Sequence, residues 1–273
     1  PAVIKDLSKH PFALLRAVNT VVTSLLSVPD CAKLDFSHLK IALGGGMAVQ
    51  KAVAERFKAT TGVDICQAYG LTETSPGATF NPARNTTFTG SIGLPLPSTD
   101  IAILDDDGAE VAIGATGEIA IRGPQVMTGY WQRPDETAKT MTADGFFKTG
   151  DIGFMDEKGF VFVVDRKKNM ILVSGFNVYP NEIEDVAFRH PKVLECAAIG
   201  IPDEKSGEAV KMFVVVKPGE TLTKEQVLEH MRANVTGYKV PRSIEFRDTL
   251  PATNVGKILR RELRDEELKK LGK

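Results

Sequence analysis

A chain of 273 residues has room for about two domains, and 42% hydrophobic with 25% charged residues is the balance of a globular protein. Thirty-four basic residues face thirty-five acidic ones, a net charge of -1. That balance excludes a general attraction to nucleic acid, so any anion site must be built locally.

In chain order, the first clear element is the short apolar strand Leu39 to Leu43, stopped by Gly44-Gly45-Gly46. Val49, Val53 and Phe57 then recur at helical spacing, with Gly62 as the stop signal. Val63 to Cys66 reads as the next strand. Strand, helix and strand within about 30 residues predict a parallel αβ layer, whose ligands sit at the carboxyl ends of its strands. From Gly90 onward short strands alternate with hairpin-turn signals at Asp105 to Gly108, Ala143 to Gly145 and Asp156 to Gly159. These predict a small barrel-like or twisted β layer.

The charged break Asp165-Arg166-Lys167-Lys168-Asn169 follows the apolar strand Phe160 to Val164, and a domain boundary is expected there. Beyond it, Pro180 opens a helix through Ile183, Val186 and Ala187. Strands are expected at Leu194 to Ile199, Val210 to Val216 and Ser243 to Phe246. Thr223 and Gln226 have capping-box spacing before Val227, Leu228 and Met231. A last helix is expected over Ile258 to Leu271. The predicted fold is therefore α/β plus α+β: residues 1–90 an αβ layer, 91–166 a β-rich subdomain, and 167–273 a mobile α+β lid.

Four islands carry chemistry, each with a plain structural reading beside it. Gly44-Gly45-Gly46-Met47 is neither Gly-x-Gly-x-x-Gly nor a Walker loop. Alone it is a tight strand-to-helix turn that needs positive φ. Tyr69-Gly70-Leu71-Thr72-Glu73-Thr74 sets an aromatic ring, a hydroxyl and a carboxylate on one loop. A nucleotide would use all three: the ring against the base, Thr72 on a phosphate oxygen, and Glu73 on Mg²⁺ among the phosphates. The plain reading is a buried tyrosine and a helix cap made by Thr72. Thr149-Gly150-Asp151 reads as a loop between strands whose carboxylate could accept both hydroxyls of a ribose, or simply as an Asx turn. Asp165 to Lys168 is ordinarily a solvated turn, and its place at the boundary gives Arg166 a ribose or phosphate role. Ser174-Gly175 reads as part of a glycine-bearing loop before a helix. Ala59-Thr60-Thr61-Gly62 is a helix C-cap, and Asp105 to Gly108 lacks the spacing of a calcium loop.

Cys31, Cys66 and Cys196 contain no Cys-x-x-Cys pair, and His10, His38, His190 and His230 have no metal-ligand spacing. The odd count and the spacing argue against a disulfide framework and a zinc site, in keeping with a reducing cytosol. No apolar run approaches the roughly 20 residues that span a bilayer.

In order and spacing the islands resemble the acyl-adenylate-forming superfamily, over essentially the whole chain. The tracts Gly123 to Pro134, Val173 to Glu184 and Gly256 to Arg264 are similar to those of bacterial long-chain fatty acid–CoA ligases. The resemblance implies ATP-dependent conversion of a fatty acid to acyl-AMP and then to acyl-CoA, with Mg²⁺ and coenzyme A. It implies that Gly45, Gly46, Ala68, Tyr69, Gly70, Thr72, Asp151 and Arg166 hold the nucleotide and that Glu73 holds the metal. Thr72 and Glu73 join Lys257 in catalysis. Lys168 is the hinge, Ser174 and Gly175 line the coenzyme A channel, and Lys257 meets the carboxylate and α-phosphate. It further implies a cytoplasmic location, with room for a peripheral inner-membrane association and a homodimer. No Ser/Thr/Gly-rich loop ending in Pro-Lys-Gly precedes Gly44, and the chain starts at Pro1. The expectation is a C-terminal half of a longer ligase, inactive alone. An adenylating enzyme for another acid or acceptor, and a non-catalytic nucleotide- or coenzyme-A-binding module, stay open as alternatives.

Overall fold

The structure is a computed structural model that describes residues 2–83, 87–253 and 257–270. The chain divides into two compact units, one ending at Val163 and one beginning at Val164.

The first unit opens with α1 (Ala2–Leu7), β1 (Leu14–Ala17), α2 (Asn19–Ser27), β2 (Ile41–Gly44), α3 (Lys51–Thr61) and β3 (Ile65–Tyr69). β1, β2 and β3 are parallel neighbours, with Ala42 opposite both Leu15 and Ile65. Two short antiparallel strands, β4 (Thr79–Phe80) and β5 (Leu94–Pro95), extend the same sheet beyond β3. α2 and α3 bury Val22, Leu26, Val53, Ala54 and Phe57 against Ala42 and Ile65 of the sheet. α3 stops where the sequence said it should: Gly62 caps it in the left-handed region at φ 75°.

A second, four-stranded sheet follows: β6 (Asp100–Leu104), β7 (Gly117–Arg122), β8 (Phe147–Met155) and β9 (Val161–Arg166), in that order, with α4 (Pro134–Thr140) between β7 and β8. The expected turns form. Asp105 Oδ1 accepts hydrogen bonds from the amides of Asp107 and Ala109, and Asp156 Oδ1 does the same for Lys158 and Phe160. Ile103, Ile119, Ile121 and Val161 form the core of this layer, and Tyr69 and Leu71 pack partly against it.

The second unit contains β10 (Ile171–Val173), β11 (Phe176–Val178), α5 (Pro180–Phe188), β12 (Val193–Asp203), β13 (Gly207–Val216), α6 (Lys224–Asn234), β14 (Ser243–Phe246) and α7 (Arg260–Lys270). The sheet order is β11-β10-β13-β12, with β14 parallel to β13. The capping box forms: Thr223 Oγ1 accepts from the Gln226 amide, and Gln226 Oε1 accepts from the Thr223 amide. Ile183, Val186, Ala187, Met212, Val214, Val227 and Met231 make the main core. A smaller core of Ile199, Phe213, Leu250 and Leu263 fixes α7 on the other face of the sheet.

Three local expectations change. Thr149-Gly150-Asp151 is not a loop between strands but lies inside β8, at a break in register with β7. Glu118 stands opposite Ile152 and Ala120 opposite Lys148, so β8 carries extra residues there. Gly150 takes φ 72° to make the bulge. Ser174-Gly175 is the turn of the β10–β11 hairpin rather than a loop, with both residues at positive φ, 51° and 83°. That conformation is the one a two-residue hairpin turn requires. The predicted last helix begins at Arg260 rather than Ile258, because Ile258 pairs with Ala252 in an antiparallel bridge. Leu271 lies outside the described residues.

Candidate active site

β2 and β3 are adjacent and parallel, so their carboxyl ends present two loops side by side. The first is Gly44-Gly45-Gly46. Gly46 sits at φ 79°, where a side chain is strained. A Cβ on Gly45 would lie 3.4 Å from the carbonyl oxygen of Ala68 near the end of β3, so the two backbones run in close contact. Gln67 of β3 ties in the segments beside them: its buried side chain accepts a hydrogen bond from the Val49 amide at 3.1 Å and donates to the Ser91 carbonyl at 3.1 Å.

The second loop turns sharply after Tyr69. Thr74 is fully buried and is the residue that closes the turn. Its hydroxyl accepts from the Leu71 amide and lies 2.8 Å from the Pro76 carbonyl. The capping role that the sequence offered to Thr72 therefore belongs to Thr74, and Thr72 is exposed. Gly70 is confined for a steric reason, since a Cβ there would fall 1.6 Å from the Pro76 carbonyl oxygen.

Asp151 reaches the same place from β8. The residue is 3% exposed, and its Oδ2 accepts a 2.6 Å hydrogen bond from the hydroxyl of Tyr69. The bulge at Gly150 sets this direction, held by the Thr149 hydroxyl on the Ile119 carbonyl and by the Gly150 amide on Glu118. A half-buried aromatic ring, a buried carboxylate and two glycine-lined turns thus converge in the first unit.

Glu73 follows on the second loop. Its Oε1 accepts a 2.9 Å hydrogen bond from the hydroxyl of Tyr130, and its carbonyl accepts from the Met127 amide at 2.8 Å. Burial, with Glu73 beside it, pushes the Tyr130 phenol up, so it stays a donor. Among the described residues no cluster of three or more His, Cys, Asp or Glu side chains could hold a metal by itself. One oriented carboxylate fits Mg²⁺ all the same, because that ion commonly takes one or two carboxylates and completes its shell with water and substrate phosphates.

The remaining candidates lie on the second unit. Arg166 is half-buried at the end of β9, and Lys168 is exposed in the turn after it. Ser174 and Gly175 are exposed at the hairpin tip. Lys257 is exposed on a loop braced by paired backbone: the Thr253 amide donates to the Lys257 carbonyl at 2.8 Å, and the Leu259 amide to that of Pro251 at 2.8 Å. Asn254 to Gly256 lie outside the described residues.

Residues 1–131 match the family described as AMP-binding enzyme, and residues 182–257 match its C-terminal domain. The chain belongs to the AMP-binding enzyme family. It is 58% identical over 269 residues to a long-chain-fatty-acid–CoA ligase of Yersinia pestis, and 55% identical over 266 residues to one of Escherichia coli O157:H7. These matches cover 98% and 97% of this chain but 48% and 47% of those proteins, so the chain spans about half the length of the curated relatives it matches. Among solved structures it is similar to ATP-bound MatB from Rhodopseudomonas palustris, at 32% identity and a TM-score of 0.89 over 97% of this chain and 52% of that one. It is also similar to the anthranilate CoA ligase AuaEII in complex with anthranoyl-AMP, at 29% identity and a TM-score of 0.89, with the same coverage.

In this AMP-binding enzyme chain, motif reading alone passed over two residues with structural partners, Tyr130 in the first unit and Glu184 in the second. Tyr130 stands 57 positions from the carboxylate it holds. Only its place in the Gly123 to Pro134 tract marked it. Glu184 is a carboxylate on the buried face of α5, between Ile183 and Val186. An acidic residue on an apolar stripe signals a buried partner.

Proposed function

We propose that the intact protein containing this chain is an AMP-forming ligase that activates long-chain fatty acids with ATP and passes the acyl group to coenzyme A. The observation that carries the reading is the convergence of Gly45, Tyr69 and Asp151 at the carboxyl ends of β2 and β3. It is a nucleotide-shaped constellation in an AMP-binding enzyme fold. The acid and acceptor follow from the names of relatives more than 50% identical over nearly the whole chain.

Each residue then has a task. The glycine turns let backbone approach a flat base, Tyr69 packs against it, and Asp151 accepts the ribose hydroxyls, with Arg166 assisting at ribose or phosphate. Glu73 and Thr72 hold Mg²⁺ and the phosphates, Mg²⁺ supplying neutralisation of phosphate charge. A carboxylate oxygen of the fatty acid attacks the α-phosphorus, the bond to pyrophosphate breaks, and acyl-AMP forms. Lys257 stabilises the charge on the carboxylate and α-phosphate oxygens in this step. The thiol sulfur of coenzyme A then attacks the acyl carbon and AMP leaves with the bonding pair. Rotation at Lys168 would exchange Lys257 for the Ser174-Gly175 hairpin between the two steps. A cytoplasmic location, a homodimer and a peripheral inner-membrane association belong to the same proposal, on the strength of the resemblance and of a hydrophobic substrate. Among the described residues no helix is long and apolar enough to cross a membrane.

The test is Lys257→Ala in the intact protein. ATP–pyrophosphate exchange driven by a long-chain fatty acid is expected to fall by about 100- to 1000-fold, the usual cost of one preorganised donor. Thioester formation from supplied acyl-AMP should be largely spared. Equal loss in both half-reactions would refute the role of Lys257, and exchange driven only by short or aromatic acids would refute the substrate class.

A further inference from the structure

Lys257 is exposed, yet its task needs a fixed position. Apolar anchors flank it, Leu250 on one side and Leu263 on the other, both buried in the core under α7. The polar anchor is Arg260, three residues beyond Lys257 and so within about 10 Å along the chain. Its Nη2 donates to Glu184 Oε2 at 2.5 Å and its Nε to Glu184 Oε1 at 3.0 Å, a bidentate pair. Nη2 also donates to Asn181 Oδ1 at 2.9 Å.

Glu184 is 6% exposed. Burial pushes its carboxyl up against the opposing pull of Arg260. Burial also works against the Arg260 charge, and Glu184 outweighs it, so the guanidinium is held firmly protonated. Glu184 Oε1 further accepts from the Ala198 amide on β12 at 2.7 Å, which locks the carboxylate to the sheet. Asn181 carries the network onward: its Nδ2 donates to the Val164 carbonyl at 3.2 Å and its amide to Asp165 Oδ2 at 2.8 Å. Asp165 is itself buried and also accepts from the Arg166 amide. One continuous set of hydrogen bonds therefore runs from the segment just before Lys168 to the segment just after Lys257.

We propose that Arg260, clamped by Glu184 and Asn181, is the positioning residue that sets the loop of Lys257 relative to the Val164–Asp165 segment. A fork of donors on a planar carboxylate fixes orientation as well as distance. Loosening it displaces the Lys257 ammonium by an ångström or more while leaving its chemistry intact, and such displacements cost rate steeply. The inference rests on the proposed function, because it takes Lys257 to serve acyl-AMP formation.

The experiment compares wild type, Lys257→Ala, Glu184→Gln and Asn181→Ala in the intact protein. It measures fatty-acid-dependent ATP–pyrophosphate exchange, thioester formation from supplied acyl-AMP and coenzyme A, and thermal unfolding. Glu184→Gln is expected to lower exchange by about 10-fold or more, a barrier change of about 1.4 kcal/mol, and Asn181→Ala by somewhat less. Thioester formation should stay within about 3-fold of wild type in both, under 1 kcal/mol on the same scale. Asn181 keeps the buried ion pair intact when replaced, so it decides the matter if Glu184→Gln does not fold. If Lys257→Ala loses exchange alone while Asn181→Ala and a folded Glu184→Gln exchange at the wild-type rate, the clamp is refuted and the functional reading stands. The clamp is also refuted if both half-reactions fall together in the Asn181 and Glu184 variants. If Lys257→Ala itself loses both equally, the functional reading fails and takes the clamp with it.

Discussion

The hydroxyl of Tyr69 donates a 2.6 Å hydrogen bond to Oδ2 of Asp151, joining residues 82 positions apart. The bond does two things. It satisfies a carboxylate that is almost wholly buried, and it ties the end of β3 to β8. Removing the hydroxyl leaves a buried charge short of one donor. Tyr69→Phe is therefore expected to destabilise the first unit by about 1–3 kcal/mol. Native-state hydrogen exchange at the paired amides of β7 and β8 in that unit would measure it. A stability equal to wild type would mean that water replaces the hydroxyl without cost.

Tyr130 acts on Glu73 in a similar way, but its effect should be read through the metal. The phenol orients the carboxylate that the proposed function assigns to Mg²⁺, which it would meet only together with phosphates. Loss of such an outer partner typically costs 10–100-fold in metal affinity, so Tyr130→Phe should raise the Mg²⁺ concentration for half-maximal exchange by about 10-fold. The rate at saturating Mg²⁺ should change much less. A lower plateau with an unchanged Mg²⁺ midpoint would place Tyr130 outside the metal site.

Much of this arrangement could be read from the sequence wherever a local rule and the tertiary fold agreed. The capping box at Thr223 and Gln226, the stop at Gly62 and the strand Ser243–Phe246 each follow from residues within a few positions of one another. Elements without a local signature were harder. α4 has no buried residue and so no apolar stripe to reveal it, and β1 has only four residues at the edge of its sheet. Thr149 to Asp151 looked like a loop because glycine in a strand is disfavoured, whereas here Gly150 makes the bulge that aims Asp151. The partners Tyr69–Asp151, Tyr130–Glu73 and Arg260–Glu184 are separated by 57 to 82 residues, and no spacing rule connects them.

Gly70 separates steric need from ligand contact. Its Cβ position is occupied by the backbone oxygen of Pro76, which cannot swing aside as a side-chain tip would. Gly70→Ala should therefore shift the whole Tyr69 to Thr74 turn, breaking the bond between the Leu71 amide and Thr74 as well as that between Tyr69 and Asp151. The expected result is a fall in both thermal stability and ATP affinity. Gly45→Ala, whose Cβ would meet the Ala68 carbonyl at 3.4 Å, should fold with near wild-type stability. Comparable melting temperatures for the two variants would contradict the steric account.

The second unit should show its electrostatics at low pH. Glu245 is partly buried, which alone would raise its carboxyl, but hydrogen bonds from Lys211, Arg247 and Lys270 bring it down to about 2. Its ordinary value is 4.5, so the folded state holds the charged form more tightly than the unfolded chain does. A depressed folded value stabilises the fold above the unfolded value and loses that stability as pH falls through the folded one. Between pH 7 and 5 the contribution is constant, and it declines from about 4.5 toward about 2. Glu245→Gln should thus weaken this unit at pH 7, on the order of 1 kcal/mol once solvent screening is allowed for. At pH 2 the variant and wild type should converge. Hydrogen exchange at the paired amides of β13 and β14 reads the difference in the unit itself, and a gap that persists unchanged at pH 2 would show that Glu245 stabilises by packing rather than by charge.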